Sequence, residues 1–386
     1  MIPLSKPDIT EKEIKAVIDV LKSWWLALWP KLKEFEKLAA KIANTKFASA
    51  VNSWTSWLHL IVKSLWIWKN NAVFVPSFTF IASVNCFIYE WATPIFTDIE
   101  EDTYNISVEW IENYIKNNCD FDWKKLIDKK SWKHIKAIVW VHIFWHPFDV
   151  DWILKLCKKY NLYLIEDAAE AIWSEYKNKP VWQFWEASIF AFYPNKQITT
   201  WEWWVITTNN EKYYKLYESL KNQWRLDDTQ WLIHDKLWYN YRMSDINAAI
   251  WIEQLKRLDE IIKKRNKVAA LYDKEFNKYK DMIKTPTVKN YCTKYSRFAY
   301  VIEIKKDINI QNIIKYLKDK WIQTKNYFYP IHLQKFYIEN YNTKNLDLPI
   351  TNKAYKRTLA LPFYNSLKEE EIKYIVKEVI NSLQDK

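Results

Sequence analysis

The chain has 386 residues, of which 49% are hydrophobic and 27% are charged, and its formal net charge is +12 at pH 7. This length allows two domains with sizeable cores, and the hydrophobic fraction excludes an intrinsically disordered chain. Because the positive charge comes from lysines spread along the chain and not from basic blocks, a nucleic-acid-binding protein is not favoured.

The cysteines and the N-terminal segment indicate the cellular location. The four cysteines are far apart and include no C-x-x-C pair, so neither a disulfide framework nor a metal site is indicated. Residues 1–8 lack an apolar signal core, and the apolar run at 81–96 is broken by Asn85 and Glu90. We expect reduced thiols, no membrane segment and a cytoplasmic location.

The composition is abnormal in one respect, because the chain contains no glycine and 25 tryptophans. Glycine normally supplies about 7% of residues, so a chain of this length would contain roughly as many glycines as this one has tryptophans. Several tryptophans stand in turn contexts where glycine is expected: Trp66, Trp68, Trp91, Trp145, Trp201, Trp203 and Trp204. We hypothesise that most are glycines written as tryptophan, for example through a reassigned codon. The alternative is a genuinely tryptophan-rich chain with bulky rings in its turns.

Hydrophobic periodicity predicts a large α/β domain at the N-terminal side. Thr10–Glu13 forms a capping box before a helix at 10–23, and a second helix follows at 31–43. Strands and helices then alternate: strands at 47–51, 72–75, 94–97, 135–141, 162–165, 189–192 and 205–207, and helices at 56–66, 79–89, 108–117 and 150–160. This alternation predicts a mostly parallel mixed sheet flanked by helices.

The pattern changes after about residue 210. Amphipathic helices are predicted at 211–222 and 244–273, then a strand at 297–304, a helix at 309–320, an apolar loop at 327–337 and a final helix at 368–383. These elements indicate a smaller α+β C-terminal domain. We therefore predict a large domain at 1–245, whose helix at 10–23 packs toward the small domain, and a small domain at 246–386.

Ligands of open parallel sheets bind at the carboxyl ends of the strands, and polar residues follow three of the predicted strands. Asn52–Ser56 leads into a helix, which makes it either a phosphate site or an ordinary N-cap. Asp167 could offer a carboxylate to a protonated ring nitrogen, or it could only cap a helix. Lys196 lies in a tight turn between two strands, where a lysine either forms a Schiff base or is simply solvated. Together these groups are the parts that hold pyridoxal phosphate.

At these residues the chain resembles the DegT/StrS family of pyridoxal-phosphate-dependent sugar-nucleotide aminotransferases, over about residues 1–380. The resemblance, read with glycine for tryptophan, lies in six ordered segments: Asn52–Thr55, Pro76–Phe80, Val141–His146, Glu166–Ala171, Phe192–Trp204 and Trp238–Arg242. It implies the fold of the type I pyridoxal-phosphate-dependent transferases. It also implies transfer of an amino group from an amino acid, L-glutamate, to a nucleotide-linked keto-deoxysugar for aminosugar and polysaccharide biosynthesis.

The resemblance also implies roles for individual residues. Lys196 would be the Schiff-base lysine and proton shuttle, and Asp167 would keep the ring nitrogen protonated. Phe80 would stack on the ring, unless it is only a core side chain on a helix. Thr55 and Ser56 would bind the phosphate. Asn240 would reach the phosphate of the neighbouring subunit, which implies a homodimer with shared active sites.

Two further residues have less definite roles. Glu170 occupies a position near the cofactor and substrate that is glutamine or histidine in many relatives. His332 resembles a residue on the sugar-nucleotide side, and a buried structural histidine is the alternative.

Some positions depart from the family pattern. Ala191 stands where many members have a serine that bonds the cofactor phosphate. Trp54 would crowd the phosphate, whereas Trp25 and Trp231 stand where similar sequences accommodate an aromatic residue. Two other functions stay open. A related sugar dehydratase generally lacks the lysine that this chain has at 196, and a non-catalytic regulatory protein would only bind the cofactor.

Overall fold

The computed structural model describes residues 1–26, 30–181, 188–191, 196–198, 204–223 and 239–384. The predictions for Trp201, Trp203 and Trp231 lie outside these residues. The helices within them are α1 Glu11–Ser23, α2 Lys31–Ile42, α3 Trp54–Ser64, α4 Ala82–Ile88, α5 Val108–Asn118, α6 Val150–Tyr160, α7 Glu211–Lys221, α8 Asp245–Lys256, α9 Leu258–Phe276, α10 Ile310–Asp319, α11 Lys335–Tyr341, α12 Pro349–Arg357 and α13 Glu369–Gln384.

The strands are β1 Phe47–Val51, β2 Asn71–Pro76, β3 Thr93–Thr97, β4 Cys119–Phe121, β5 Leu126–Asp128, β6 Lys133–Val141, β7 Tyr163–Asp167, β8 Glu175–Tyr176, β9 Lys179–Pro180, β10 Ser188–Ala191, β11 Trp204–Thr208, β12 Ile283–Lys284, β13 Cys292–Lys294, β14 Tyr300–Ile304 and β15 Thr358–Leu361. Short strands β4, β5, β8, β9, β12 and β13 were not predicted, because two or three residues are too few to show a period.

The main sheet is mixed and mostly parallel, as predicted. Its strands follow the order β1-β11-β10-β7-β6-β2-β3, and the β4–β5 hairpin joins it through β6. The pairs from β10 to β3 are parallel, whereas β11 is antiparallel to both of its neighbours. Since β1 and β10 both oppose β11, β1 runs in the same direction as β7. The carboxyl ends of β1, β2, β7 and β10 therefore lie at one edge.

Both faces of this sheet are buried under helices. Along β6, Ile138 and Trp140 belong to one core cluster, whereas Val139 and Val141 belong to the other. This alternation follows from the two-residue period of a strand, and burial on both faces explains why the strands are almost uniformly apolar. The predicted α/β fold class is confirmed.

The capping box at the start of α1 has formed. The Thr10 backbone N–H donates to the Glu13 carboxylate (2.8 Å), and the Thr10 side chain accepts from the first turn. α1 packs on α8. The predicted single helix at 244–273 is wrong in one respect, because it divides at Arg257 into α8 and α9. The Arg257 guanidinium bonds to Asp8 (2.9 Å) and to Glu13 (2.7 Å), which ties the N-terminal segment to this break.

The C-terminal part forms a second layered unit. Its sheet has the order β12-β14-β15, and a separate core joins α9, α10 and α13 to it. The predicted strand at 297–304 begins only at Tyr300, the apolar loop at 327–337 runs into α11, and α12 and β15 were not predicted. The chain start also joins this unit, since Ile2 bridges to Ile322. The domain division at 245/246 stays a prediction.

Among the described residues, none of the helices combines the length and apolar character that crossing a membrane requires.

Candidate active site

The three predicted ligand segments meet at the carboxyl edge of the main sheet. Asp167 ends β7, Ser53 follows β1, and Lys196 follows β10. Ser53 and Lys196 line a cavity of about 440 Å³, and Asp167 accepts a hydrogen bond from Trp54 of its lining. Its lining residues are Ser53, Trp54, Thr55, Phe80, Glu170, Lys196, Trp204, Phe298, Tyr327 and Phe328.

Asp167 is fully buried and contacts Trp54 of the cavity lining. One carboxylate oxygen accepts the Ala169 backbone N–H (3.0 Å), and the other accepts the Ser83 hydroxyl (3.1 Å). Burial raises the pKa of Asp167 to about 7, although these two hydrogen bonds oppose the rise. A cation placed against this carboxyl group would favour its charged form, so the site is suited to a protonated ring nitrogen.

Lys196 is buried and points into the same cavity. Its Nζ donates to Glu170 Oε1 (2.8 Å) and lies 3.9 Å from the centroid of the Phe298 ring. The second oxygen of Glu170 accepts the Phe144 backbone N–H (2.8 Å). Glu170 therefore holds the lysine amine in place, and Phe298 covers one side of it.

The start of α3 offers an anion site. Ser53 is the N-cap, and its hydroxyl accepts the Ser56 backbone N–H (3.1 Å). The hydroxyl of Ser56 turns to that of Ser53 (2.6 Å), whereas Thr55 lines the cavity. The N-cap interpretation is confirmed, and Ser53 and Thr55 line the cavity at the positive end of the helix. A phosphate site there stays a prediction.

Phe80 is not a core side chain on a helix. It precedes α4, and 47% of its surface is exposed. Its ring stacks on the indole of Trp54, with centroids 4.9 Å apart and an interplanar angle of 18°. The Trp54 indole N–H also donates to Asp167 (3.1 Å), so the indole lies between Phe80 and Asp167.

Asn240 and His332 lie away from the cavity lining. Asn240 is exposed, and its carbonyl accepts the Asn52 side-chain amide (3.4 Å) of its own chain. His332 is fully buried, with Nδ1 2.6 Å from the Ser77 hydroxyl, and burial lowers its pKa to about 4. These contacts favour the structural role for His332. The role of Asn240 toward a second subunit stays a prediction.

Sequence reasoning missed several residues of the site. Ser83 lies within a mostly apolar predicted helix, and Phe298, Tyr327 and Phe328 come from the C-terminal part of the chain. The aromatic run at 327–329 was a signal that could have drawn attention to this wall. The backbone of Ala191 lies at the end of β10, opposite Trp204 of β11.

The residues around the cavity fit pyridoxal phosphate. Asp167 suits the ring nitrogen, Lys196 the aldehyde, Phe80 a ring face and the start of α3 the phosphate. The indole of Trp54 does not fit, because it fills the space between Phe80 and Asp167. Fold and site together define an α/β enzyme of the pyridoxal-phosphate-dependent type.

The chain belongs to the DegT/DnrJ/EryC1/StrS aminotransferase family, whose model matches residues 7–380. GDP-perosamine synthase of Escherichia coli O157:H7 is 34% identical over 386 residues, covering 100% of this chain and 99% of that protein. UDP-4-amino-4,6-dideoxy-N-acetyl-beta-L-altrosamine transaminase of Campylobacter jejuni is 32% identical over 393 residues, covering 100% and 98%.

Solved structures agree with these relatives. Helicobacter pylori PseC, an aminotransferase involved in the biosynthesis of pseudoaminic acid, is 25% identical, with a TM-score of 0.88 and full coverage of both chains. The predicted family, the type I transferase fold and the prediction of a sugar-nucleotide aminotransferase are confirmed.

Proposed function

We propose that the protein transfers an amino group from L-glutamate to the keto carbon of a nucleotide-linked deoxysugar, which yields an aminosugar for polysaccharide biosynthesis. The observation that carries this proposal is the buried Lys196 amine in one cavity with the start of α3 and beside the buried Asp167 carboxyl group. The names of the two relatives contain a GDP-linked and a UDP-linked aminosugar, which supports a nucleotide sugar as the acceptor.

Pyridoxal phosphate is the cofactor of this proposal. When bound, it supplies an electron-withdrawing ring that stabilises negative charge on the carbon attached to the transferred nitrogen. Asp167, Lys196, Phe80 and the start of α3 would hold it. Thr55 would contact its phosphate, together with backbone N–H groups at the helix end.

Asp167 would hold a proton on the ring nitrogen. Its burial makes the carboxylate costly without a cationic partner, so the pairing would be strong once that proton is in place. Ser83 and the Ala169 N–H would keep the carboxyl group in its orientation. This contact would maintain the charge that the chemistry of the ring requires.

Lys196 would move a proton to and from the reacting carbon of the substrate. Its Nζ donates to Glu170 (2.8 Å). This hydrogen bond would fix the orientation of the amine before and after each proton transfer. Lys196 is also the feature that favours transfer over the dehydratase alternative, whose members generally lack this residue.

An aromatic wall would exclude water from the reacting atoms. Phe298, Tyr327 and Phe328 line the cavity opposite the sheet edge. They come from the C-terminal part of the chain, so the site is built between the two parts. A nucleotide held outside this wall would orient the keto carbon without taking part in the chemistry.

Asn240 supports a homodimer in this proposal. Its side chain is exposed on its own chain, which leaves it accessible to the cofactor phosphate of a second subunit. Sedimentation of the purified protein would test the dimer, and Asn240→Ala would test the contact through the affinity for pyridoxal phosphate.

The decisive test of the function is Lys196→Ala, compared with Lys215→Ala. Lys215 lies on α7 with its side chain 73% exposed, so it is a control for loss of one lysine. Because the Trp54 indole fills part of the site, both changes are made in the chain as written and in the Trp54→Gly chain. In the Trp54→Gly chain, we expect Lys196→Ala to abolish amination of GDP- and UDP-linked 4-keto-6-deoxysugars, and Lys215→Ala to leave it unchanged.

Mass spectrometry of the products separates the alternatives. A product that has gained nitrogen at the expense of glutamate supports transfer, whereas a sugar that has lost water supports the dehydratase. If neither chain changes any keto-sugar while still binding the cofactor, the non-catalytic binding protein is correct and the proposed function is wrong.

A further inference from the structure

Within the described part of the chain, three helices end in a motif that glycine normally completes, and each has tryptophan in that place. At the end of α3, the Trp66 N–H donates to the Lys63 carbonyl (3.1 Å), and the Ile67 N–H donates to the Val62 carbonyl (3.0 Å). This pair of bonds defines the Schellman motif, whose left-handed residue is usually glycine. The same pair of hydrogen bonds is present at Trp91, after α4, and at Trp321, after α10.

The tryptophans at these helix ends have the left-handed backbone that glycine adopts without strain. Their φ angles are 54° for Trp66, 61° for Trp91 and 61° for Trp321. Their side chains are 66–77% exposed, so packing of the indole does not offset the strain. A bulky residue in this conformation is a genuine outlier, and here it recurs.

The end of α2 provides an internal comparison. Asn44 has φ 51°, and the same two hydrogen bonds run from Asn44 to Lys41 (3.1 Å) and from Thr45 to Ala40 (3.0 Å). Asparagine is the accepted alternative to glycine in this position. The fold therefore uses an ordinary residue at α2 and an unsuitable one at α3, α4 and α10.

Five more tryptophans share the positive φ: Trp24, Trp123, Trp132, Trp145 and Trp173. Other tryptophans are unsuitable for a different reason. The buried indole N–H groups of Trp57, Trp140 and Trp204 find no hydrogen-bond partner within the described ranges. A buried donor without an acceptor is costly, and glycine has no such donor. Trp204 is the first residue of β11 and not part of a turn.

Position 54 adds an observation from the site itself. The Trp54 indole makes the contacts that suit a protonated cofactor ring: it stacks on Phe80 at 4.9 Å and donates an N–H to Asp167 at 3.1 Å. Lys196 Nζ lies 5.5 Å from the indole centroid. A flat ring with one N–H thus occupies the slot, and a residue without a side chain at 54 would leave the slot open.

We infer that glycine stands at position 54 and at the left-handed tryptophan positions of the working protein, so that the slot between Phe80 and Asp167 is open to the cofactor ring of the proposed function. In the chain as written, the indole of Trp54 closes that slot. The assignment of the slot rests on the proposed function. The assignment of glycine also rests on backbone angles and on buried donors, of which those of Trp57 and Trp140 lie outside the cavity lining.

The first experiment reads the residues directly. Peptides of the protein purified from its own cells are sequenced by tandem mass spectrometry at positions 54, 66, 91 and 321. Trp25 is the matched control, since it is not among the residues with positive φ. We expect glycine at the four positions and tryptophan at 25. Tryptophan at 54 would overturn the inference.

The second experiment measures binding of the cofactor and not activity. The chain as written, Trp54→Gly and Trp25→Gly are incubated with pyridoxal phosphate, reduced with borohydride and digested. We expect Trp54→Gly to show at least about a tenfold rise in cofactor fixed to the Lys196 peptide, and Trp25→Gly to show no rise. Equal labelling of all three chains contradicts the assignment of the slot.

The two experiments separate this inference from the proposed function. Glycine at 54 and strong labelling, without amination of any keto-sugar, would leave the inference standing and remove the function. Tryptophan at 54 in a protein that aminates a keto-sugar would overturn the inference and support the proposed function. If Trp54→Gly does not fold, the peptide masses of the natural protein still decide the question.

Discussion

The two ends of α3 carry the same residue type with different consequences. Trp54, at the first turn, is buried between Phe80 and Asp167. Trp66, after the last turn, is 77% exposed and makes a left-handed turn at the surface. A side chain in the wrong place thus blocks a ligand at one end of the helix and only strains the backbone at the other. The position in the fold decides whether function or stability is lost.

The largest expected effect is on ligand binding, which should respond to a change at the first turn of α3 and not to one after its last turn. Trp54→Gly should raise the affinity for pyridoxal phosphate about a hundredfold, because it removes a side chain from the slot, whereas Trp66→Gly should leave the affinity unchanged. Equilibrium titration of both variants measures the difference. Equal affinities would show that the indole at 54 moves aside without cost.

Asp167→Asn tests the other wall of the same slot. The amide keeps the shape but not the charge, so in the Trp54→Gly chain we expect about a hundredfold weaker cofactor binding and a similar loss of amination. Asp151→Asn is the control, because Asp151 is an exposed residue paired with Lys177. Unchanged cofactor binding in Asp167→Asn would show that Asp167 does not contact the ring nitrogen.

Stability should depend on pH through the same carboxyl group. The pKa of Asp167 is raised from 3.8 to about 7, so between these values the unfolded state releases a proton that the folded state keeps. The chain as written should therefore lose stability as the pH rises through this window, by up to about 4 kcal/mol. Urea unfolding at low and neutral pH measures this loss, and Asp167→Asn should abolish it. A loss that persists in the variant must come from other groups.

Glu170→Gln should have a smaller effect. A glutamine keeps one acceptor, but it cannot serve both the Lys196 amine and the Phe144 N–H. In the Trp54→Gly chain, we expect about a tenfold fall in kcat with little change in KM, since the lysine is less well oriented. Glu175→Gln, on β8, should change neither constant. A fall confined to KM would place Glu170 in substrate binding instead.

The smallest effect concerns the surface end of α3. Trp66→Gly should raise the free energy of unfolding by about 1 kcal/mol, because the left-handed turn no longer strains a bulky residue. Asn44→Gly introduces glycine at the matching position of α2, and its free energy of unfolding should stay within about 0.5 kcal/mol of that of the parent chain. Urea unfolding of the three chains compares them. Equal stability of all three would show that Trp66 gains as much from packing as it loses in strain.

Much of the main sheet could be predicted because its signals are local. Phe47–Val51 forms the predicted strand, and Val150–Tyr160 forms the predicted helix. The helix break at Arg257 could not be predicted, because the contacts that Arg257 makes there reach Asp8 and Glu13 at the other end of the chain. Hydrophobic periodicity continues through this break, so the pattern reads as a single helix.

The site likewise contains residues that local patterns could predict and residues that depend on distant contacts. Asp167, Thr55 and Lys196 could be selected because each follows a predicted strand. Phe298 could not, since no local pattern places its ring 3.9 Å from the lysine amine. His332 resembled a substrate residue in sequence, and only the contact with Ser77 favours a structural role.

For position 54, the sequence by itself determined that a tryptophan stands where a glycine is expected, because composition and turn context are readable along the chain. Only the tertiary structure decided what that tryptophan does. The indole reaches Asp167 and Phe80, which lie on other elements of the fold, and contacts between distant segments depend on how the sheet and helices pack.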